Sequence, residues 1–359
     1  MRRISTFVGA ICLIAPHASA QPVLELRSTC GSCRLSLDVV VEFQSEWATG
    51  GLPTRPSSVH QFARSQWIVT DPDAGQVLRF DSRGRFVAPL GRKGAGPGEF
   101  NAPSLLFDWG GDSVAVFDAS NARTSIFSPS GRYARSQPWR LESIVRASHL
   151  PSGEFLIAGP LSTRAGFGMP FHRFSRDGLL QESFGAPQNA RVVRFSDAPH
   201  FRVPTRIDSP TFWAVDARSP TLRRFRLGTQ HAEEWVLPMR NFERFRSGRP
   251  EGAFGAEFLT IEELPEGLLL VGMMFPDPRS VEALGPEQVI DGRKVRLVDD
   301  WGRYLNTRFY VLDSRRRTVM ATVEDDAWVV ASLGQGLYWG IRPGGDGGRL
   351  VVLRATFTR

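Results

Sequence analysis

The sequence predicts an all-β fold: a six-bladed β-propeller with four-stranded blades, its ring closed by an N-terminal strand. Three observations carry this. One pattern is written twice, as WIVTDPDAGQVLRFDSRGRF from Trp67 and VAVFDASNARTSIFSPSGRY from Val114, with Asp71 and Asp118, Phe80 and Phe127, Gly84 and Gly131, and Arg85 and Arg132 each 47 positions apart. A fixed period of that size marks a stacked or radial repeat. The β-rich run that opens each copy recurs, with decreasing clarity, to give six copies along the chain. Finally, residues 35–43 (LSLDVVVEF) and residues 350–353 (LVVL) read as strands at opposite ends of the chain, placed to pair and complete one blade. Such closure removes the exposed sheet edges that otherwise recruit other chains.

Within each copy a short run (Trp67-Ile68-Val69-Thr70, then Val114-Ala115-Val116-Phe117) ends at an Asp, and a polar loop leads to a second run ending at Phe80 or Phe127. Asp81-Ser82-Arg83-Gly84 and Ser128-Pro129-Ser130-Gly131 then read as tight turns whose last residue tolerates positive φ. A third run follows each turn. With residues 104–107 after Pro103 as the fourth strand, the unit is one propeller blade. Blade three keeps Phe174 and Gly178 at the same 47-residue offset, with a longer loop at 159–169. Blade four shows residues 211–216 and Phe225; blade five, residues 268–271 and 309–313; blade six, residues 337–341 before a Pro/Gly-rich turn at 343–348. Residues 273–306 interrupt blade five between its second and third strands, with helical turns expected at 280–284 and an Asp291-Gly292 hairpin after them. Loops this long in compact domains are functional or mobile, so the segment is a candidate flap over the channel mouth, with a neutral insertion as the alternative.

The stretch Gly91-x-x-Gly94-x-Gly96-Pro97-Gly98-Glu99-Phe100-x-x-Pro103, the run into Asp118, and Phe127-x-x-x-Gly131 resemble an NHL-type repeat over residues 56–136. The resemblance implies a β-propeller, six-bladed, of the kind found in exported bacterial proteins. It implies no single activity, because the fold serves enzymes and binding scaffolds alike.

Residues 1–20 read as a secretory signal peptide: Arg2 and Arg3, an apolar run at 7–15, then Ala18-Ser19-Ala20, with cleavage expected before Gln21. The run is too short to span a bilayer, and Ala10-Ile11 before Cys12 is a poor lipoprotein box. A periplasmic or secreted location is therefore expected, without stable membrane insertion. Residues 21–34 form an N-terminal segment with a C-x-x-C motif, and residues 35–359 form the propeller.

The formal charge is +7, carried almost wholly by arginine, since Lys93 and Lys294 are the only lysines. Those arginines are scattered among acids rather than gathered with stacking aromatics on one face, which argues against a nucleic-acid partner. Cys30 and Cys33 are the cysteines left after processing, and an even number in an exported chain favours a structural disulfide. A c-type haem site would need His where Arg34 stands, and a thioredoxin-like site would need a βαβ context that is lacking. A reactive pair stays open as the alternative.

In a propeller the loops joining second to third strands and those joining one blade to the next share one face. Here that face would collect the candidate ligand residues Asp71, Asp118, Asn121, Arg164, Asp216 and Arg218, together with Asp73, the 91–100 loop and the 273–306 insert. Concave, ring-lined mouths take small ligands or peptides. Each recurring Asp has a plainer role available, capping backbone N–H groups in the turn that follows it. The glycines at 91–98 could suggest a phosphate cradle, but Pro97 and Pro103 oppose the helix such a cradle needs. No Gly-x-Ser-x-Gly elbow occurs, and His60, His149, His172, His200 and His231 stand singly. Of these, His60, His149 and His200 fall near first strands, closest to the axis. The expected function is an exported, non-catalytic scaffold, a monomer without cofactor, binding a peptide, protein or glycan at the channel mouth. The alternative is a propeller lyase or lactonase with an axial metal held by His or carboxylates.

Overall fold

The computed structural model describes residues 23–24, 28–44, 56–63, 65–138, 146–159, 162–163, 166–167, 169–185, 200–229, 232–240, 256–277, 280–290, 293–298, 304–344 and 348–359. Residues 1–20, expected to be a signal peptide, and Arg164 and His231 lie outside them. Six four-stranded antiparallel sheets stand around a common axis as the blades of a propeller.

Blade one comprises Ser58–Phe62, Gln66–Asp71, Gln76–Asp81 and Phe86–Pro89; blade two, Pro103–Gly110, Ser113–Asp118, Arg123–Phe127 and Tyr133–Pro138. Blade three is Arg146–His149, Phe155–Ala158, Phe171–Phe174 and Leu180–Phe184, and blade four Phe201–Arg202, Thr211–Asp216, Thr221–Arg226 and Ala232–Val236. Blade five holds Glu257–Leu264, Leu268–Pro276, Leu305–Asp313 and Thr318–Asp325. Blade six takes Trp328–Gly334, Leu337–Arg342 and Arg349–Thr358 from the C-terminus and Arg34–Glu42 from the N-terminus as its outermost strand. The closing pair runs from Arg34 opposite Thr358 to Glu42 opposite Val351, and the Phe43 N–H donates to the Leu350 carbonyl at 3.0 Å.

The phase of the repeat differs from the sequence reading. Residues 104–107 belong to the innermost strand of blade two, not to blade one, whose own first strand is Ser58–Phe62. Gly111 and Asp112 have φ of 61° and 58°, the left-handed pair that a two-residue hairpin turn requires, and they fold Pro103–Gly110 back onto Ser113–Asp118.

Burial explains why the second strands read as continuous apolar runs. Successive side chains point to opposite faces, and here both faces meet another blade. Trp67 and Val69 pack toward blade six, whereas Ile68 packs toward blade two. Six apolar clusters result, one for each pair of neighbouring blades. Phe80, Phe127 and Phe174 enter three successive clusters and are 0%, 1% and 6% exposed, so the periodic phenylalanines are inter-blade core. Gly84 is fixed by contact as well as by its φ of 79°: a Cβ there would lie 2.3 Å from the Glu42 carbonyl oxygen of the closing strand.

The excursion from blade five is shorter than the sequence suggests. Met273, Met274 and Phe275 continue the second strand and are buried, and Leu305 already belongs to the third, so the segment leaving the sheet is 277–304. It holds a 3-10 turn, Ser280–Ala283, and a hairpin, Leu284–Ile290 with Arg293–Val298. Its base is clamped where the Asp277 N–H donates to the Tyr304 carbonyl (3.0 Å) and Asn306 Nδ2 donates to Asp277 Oδ2 (2.8 Å). Upstream, Val23–Leu24 pairs with Met239–Arg240, tying the N-terminal segment to the chain just beyond blade four.

Candidate functional site

The two faces of the ring differ in how the chain crosses them. On one face the first strands turn into the second, and the third into the fourth, through tight reversals such as 111–112, 265–267 and 335–336, with the longer 203–210 in blade four. On the other, the strand ends flank the long connections: 43–57, 139–145, 185–200, 237–256 and the 277–304 excursion. Asp71, Asp118, Asn121, Asp216 and Arg218 all lie on this second face, at or after the end of a second strand.

The three Asp side chains and Asn121 are engaged in holding turns. Asp118 is fully buried; Oδ2 accepts from Asn101 N (2.8 Å) and Asn121 Nδ2 (2.7 Å), Oδ1 from Ala102 N (3.0 Å) and Asn121 N (3.2 Å). Asp71 Oδ1 accepts from Ala74 N at 3.1 Å and Asp216 Oδ1 from Arg218 N at 3.0 Å. Asp118 and Asn121 are brought together; Asp71 and Asp216 sit on separate blades. Asp73 is exposed.

The glycine-rich loop is equally committed. Asn121 Nδ2 donates to the Gly94 carbonyl (3.1 Å), and the Arg123 guanidinium donates to the carbonyls of Ala95 (2.8 Å), Gly96 (2.5 Å) and Glu99 (2.9 Å). Glu99 takes the Gly96 N–H (2.7 Å) and Arg92 Nε (2.6 Å), and the Gly96 N–H leads the causes that hold its carboxyl below the usual range. The loop is a braced inter-blade connection.

The polar residues nearest the axis form a second group, mostly unforeseen. After the short inner strand of blade four, residues 204–207 reach blades three and five. Ser148 Oγ donates to the Pro204 carbonyl at 2.5 Å, and Arg206 bridges in parallel to His149, whose N–H donates to the Thr205 carbonyl (3.2 Å). Thr205 donates from both its N–H and its hydroxyl to Glu262 Oε1 of blade five, each at 3.1 Å. Across the ring, Arg146 Nη1 of blade three donates to the Ser332 carbonyl of blade six at 2.9 Å.

Burial dominates the electrostatics there. It raises the Glu262 carboxyl, against the Ser332 hydroxyl, the Arg146 charge and Thr205, and it lowers Arg146 against the pull of Glu262. Tyr338 is pushed well above its ordinary range by burial and then by Glu262. A buried acid and a buried base thus stabilise each other's charge where water supplies little help.

His60 and Asp108, on the inner strands of blades one and two, lie toward the tight-turn face. Burial lowers the His60 imidazole to about 4 despite the nearby Asp108 carboxylate, so it is neutral at ordinary pH. Arg206 is held above its usual range chiefly by Asp208, which its Nε meets at 2.6 Å. His149 packs edge-on to Phe155 at 5.7 Å, and His200 directly precedes the inner strand of blade four. His172, not singled out from sequence, is a buried core histidine: Nδ1 lies 2.8 Å from Ser183 Oγ and Nε2 3.0 Å from the Gly159 carbonyl, and burial lowers it to about 4. Among the described residues, no three His, Cys, Asp or Glu side chains converge in a group that could hold a metal ion. No described helix is long and apolar enough to cross a membrane.

No family model matches the sequence, and no curated protein matches it. Solved structures do. An exported protein of Bacteroides fragilis, so designated, is 10% identical with a TM-score of 0.50, covering 93% of this chain and 97% of its own. A member of the DUF4221 family from Bacteroides vulgatus is 9% identical with a TM-score of 0.50, covering 94% and 99%. A streptogramin B lyase aligns at 10% identity with a TM-score of 0.48, covering 90% and 98%. At these identities the likeness is one of fold.

Proposed function

We propose that this chain is an exported propeller built from NHL-type repeats, a binding scaffold that takes a peptide, protein or glycan at the face carrying its long connections. One observation carries the reading: the described strands that flank the connections at 43–57, 139–145, 185–200, 237–256 and 277–304 all end on a single face, while the opposite face carries tight turns and one longer connection, 203–210. Variable loops raised on a rigid scaffold are where proteins place recognition. The scaffold side of that bargain is met by Asp71, Asp118 and Asp216, which fix the turns beneath, and by Arg123 and Glu99, which brace the glycine loop. Arg164 and Arg218 remain the ligand-face polar candidates on this reading, since the Asn121 side chain braces the glycine loop.

The test is a titration of the purified protein against panels of soluble peptides and oligosaccharides, repeated with residues 278–303 replaced by a Gly-Ser turn. Because surface-loop closure costs little entropy, the replacement should shift stability by only about 1 kcal/mol while changing the affinity of whatever binds. A ligand whose affinity is untouched there and by Arg218→Ala would place recognition elsewhere. Stoichiometric Ca²⁺ or Zn²⁺ in the purified protein would instead favour the axial-metal lyase or lactonase.

A further inference from the structure

We propose that the Cys30–Cys33 pair is a thiol–disulfide exchange site, with Cys30 as the sulfur attacked and an exposed protein dithiol as the electron donor. The bond joins the two cysteines across a two-residue tip, with Cα atoms 5.4 Å apart. The two sulfurs differ in surroundings. Cys33 is 6% exposed and sits in the apolar cluster between blades five and six, with Leu35 and Met320. Cys30 lies at the margin of that cluster, and the tip beyond it is open: Gly31 and Ser32 are exposed, and a Cβ on Gly31 would meet no atom within 4 Å.

Cys30 Sγ is also where donors gather. It accepts the Cys33 N–H at 3.2 Å and lies 3.8 Å from the Ser32 hydroxyl. Arg34 Nη1 donates to the carbonyls of Gly31 (3.0 Å) and Cys33 (2.9 Å), pinning a guanidinium beside the loop. Donors and a cation stabilise a thiolate, and an apolar surround destabilises one. Once the bond is reduced, Cys30 is therefore the thiolate and Cys33 the thiol. Stabilising the reduced form makes the disulfide more oxidising, which is the direction an electron acceptor requires.

The disulfide is redundant as a staple. Thr29 N donates to the Val319 carbonyl (3.0 Å) and Ser28 Oγ to the Met320 carbonyl (2.6 Å) before the loop, and Arg34 pairs with Thr358 after it. Both ends of the tip are held by bonds that survive reduction. A ring this small also removes little chain entropy from the unfolded state.

In the exchange, a donor thiolate attacks Cys30 Sγ; the Cys30–Cys33 bond breaks, a donor–Cys30 disulfide forms, and Cys33 leaves as a thiolate that takes a proton. The donor's second thiol loses its proton and attacks the donor sulfur of that mixed disulfide, and Cys30 leaves as a thiolate. Two electrons pass from the donor dithiol to the pair, and the donor becomes a disulfide.

The experiment reduces the purified, folded protein with dithiothreitol or with glutathione, alkylates the products, and follows the fold by near-ultraviolet dichroism. The expected result is reduction without loss of fold, faster with the dithiol than with the monothiol. Cys33→Ser should trap 5-thio-2-nitrobenzoate as a mixed disulfide on Cys30. Its Cys30 should alkylate at mildly acidic pH about tenfold faster than Cys33 does in Cys30→Ser, because the thiolate is the reactive form. A Cys30→Ser/Cys33→Ser protein should melt with the native one. Reduction that needs denaturant, equal reactivity of the two sulfurs, or a clear fall in the melting point of the double variant would each overturn the proposal and leave a structural staple.

Discussion

Removing the Glu262 side chain is the sharpest test of how the centre of the ring is held. Glu262 is 7% exposed, accepts twice from Thr205, and carries the negative charge that Arg146 feels in the interior. Glu262→Ala leaves Arg146 without its opposing charge and strands the Thr205 N–H and hydroxyl. Leaving an interior charge uncompensated costs about 3–5 kcal/mol. Arg146→Leu alone should cost a similar amount, because it leaves the carboxylate uncompensated. The double variant Arg146→Leu/Glu262→Ala should lose less than the sum of the two by about 2 kcal/mol, the scale of coupling between interacting residues. Urea unfolding of all four proteins measures each step. The pH dependence has a definite sign. The folded pKa of Glu262 lies above its ordinary value, so the folded state binds the extra proton, and this group's contribution falls as pH rises from the unfolded pKa through the folded one. Additive single effects, each below about 1 kcal/mol, would show that the two charges are solvated separately and would refute the coupling.

Three further outcomes are expected. Phe127→Ala, which removes a side chain 1% exposed and packed on Phe100 and Tyr133, should cost about 3–5 kcal/mol in urea unfolding; a loss below about 1 kcal/mol would take Phe127 out of the core. His172 is lowered from 6.5 to about 4, so its stabilisation is complete above the unfolded pKa and is lost as pH falls through the folded one, about 3 kcal/mol in all; His172→Gln should flatten that part of the stability profile, and an unchanged slope would count against it. Deleting residues 21–43 should bare the edge of Arg349–Thr358 and drive self-association, visible by size-exclusion chromatography; a monomer with native melting would show the ring closed without that strand.

What was legible in the sequence was whatever repeats. The Asp recurs where blades one, two and four cap the same turn, and the Phe where blades one to four fill the same inter-blade gap, so Asp118 and Phe127 announce themselves through Asp71 and Phe80. The phase of the blades was less visible, because the inner strand Ser58–Phe62 is short and half polar and carries little β signature. The limits of the excursion were misjudged because Met273, Met274 and Phe275 read equally well as loop anchors and as strand; only their burial from both sides decides. The axial charges were missed for another reason. Arg146, Thr205, Glu262 and Ser332 come from four blades and share no local spacing, so nothing short of the closed ring brings them together. A faint trace existed: Glu262-Glu263 is a pair of adjacent carboxylates in a strand whose Phe258, Leu259 and Ile261 are buried. The channel histidines were placed correctly near the axis for His60 and His149, while His172, satisfied on both nitrogens, had no sequence mark to separate it from them.

The closing strand also sets a timetable. Arg34–Glu42 leaves the ribosome before any other strand of the six blades, yet its partner, Arg349–Thr358, follows all of them. Between the two the chain carries a finished strand with no ladder to join, and five blades can assemble while the sixth waits. Pairing across nearly the full length of a chain is slow, and unpaired edges during that wait are exposed to aggregation. Exchanging the order, by a circular permutation that moves residues 28–44 behind Arg359, would let each blade finish as it is synthesised. The permuted protein should fold faster than the native one and reach the same ring.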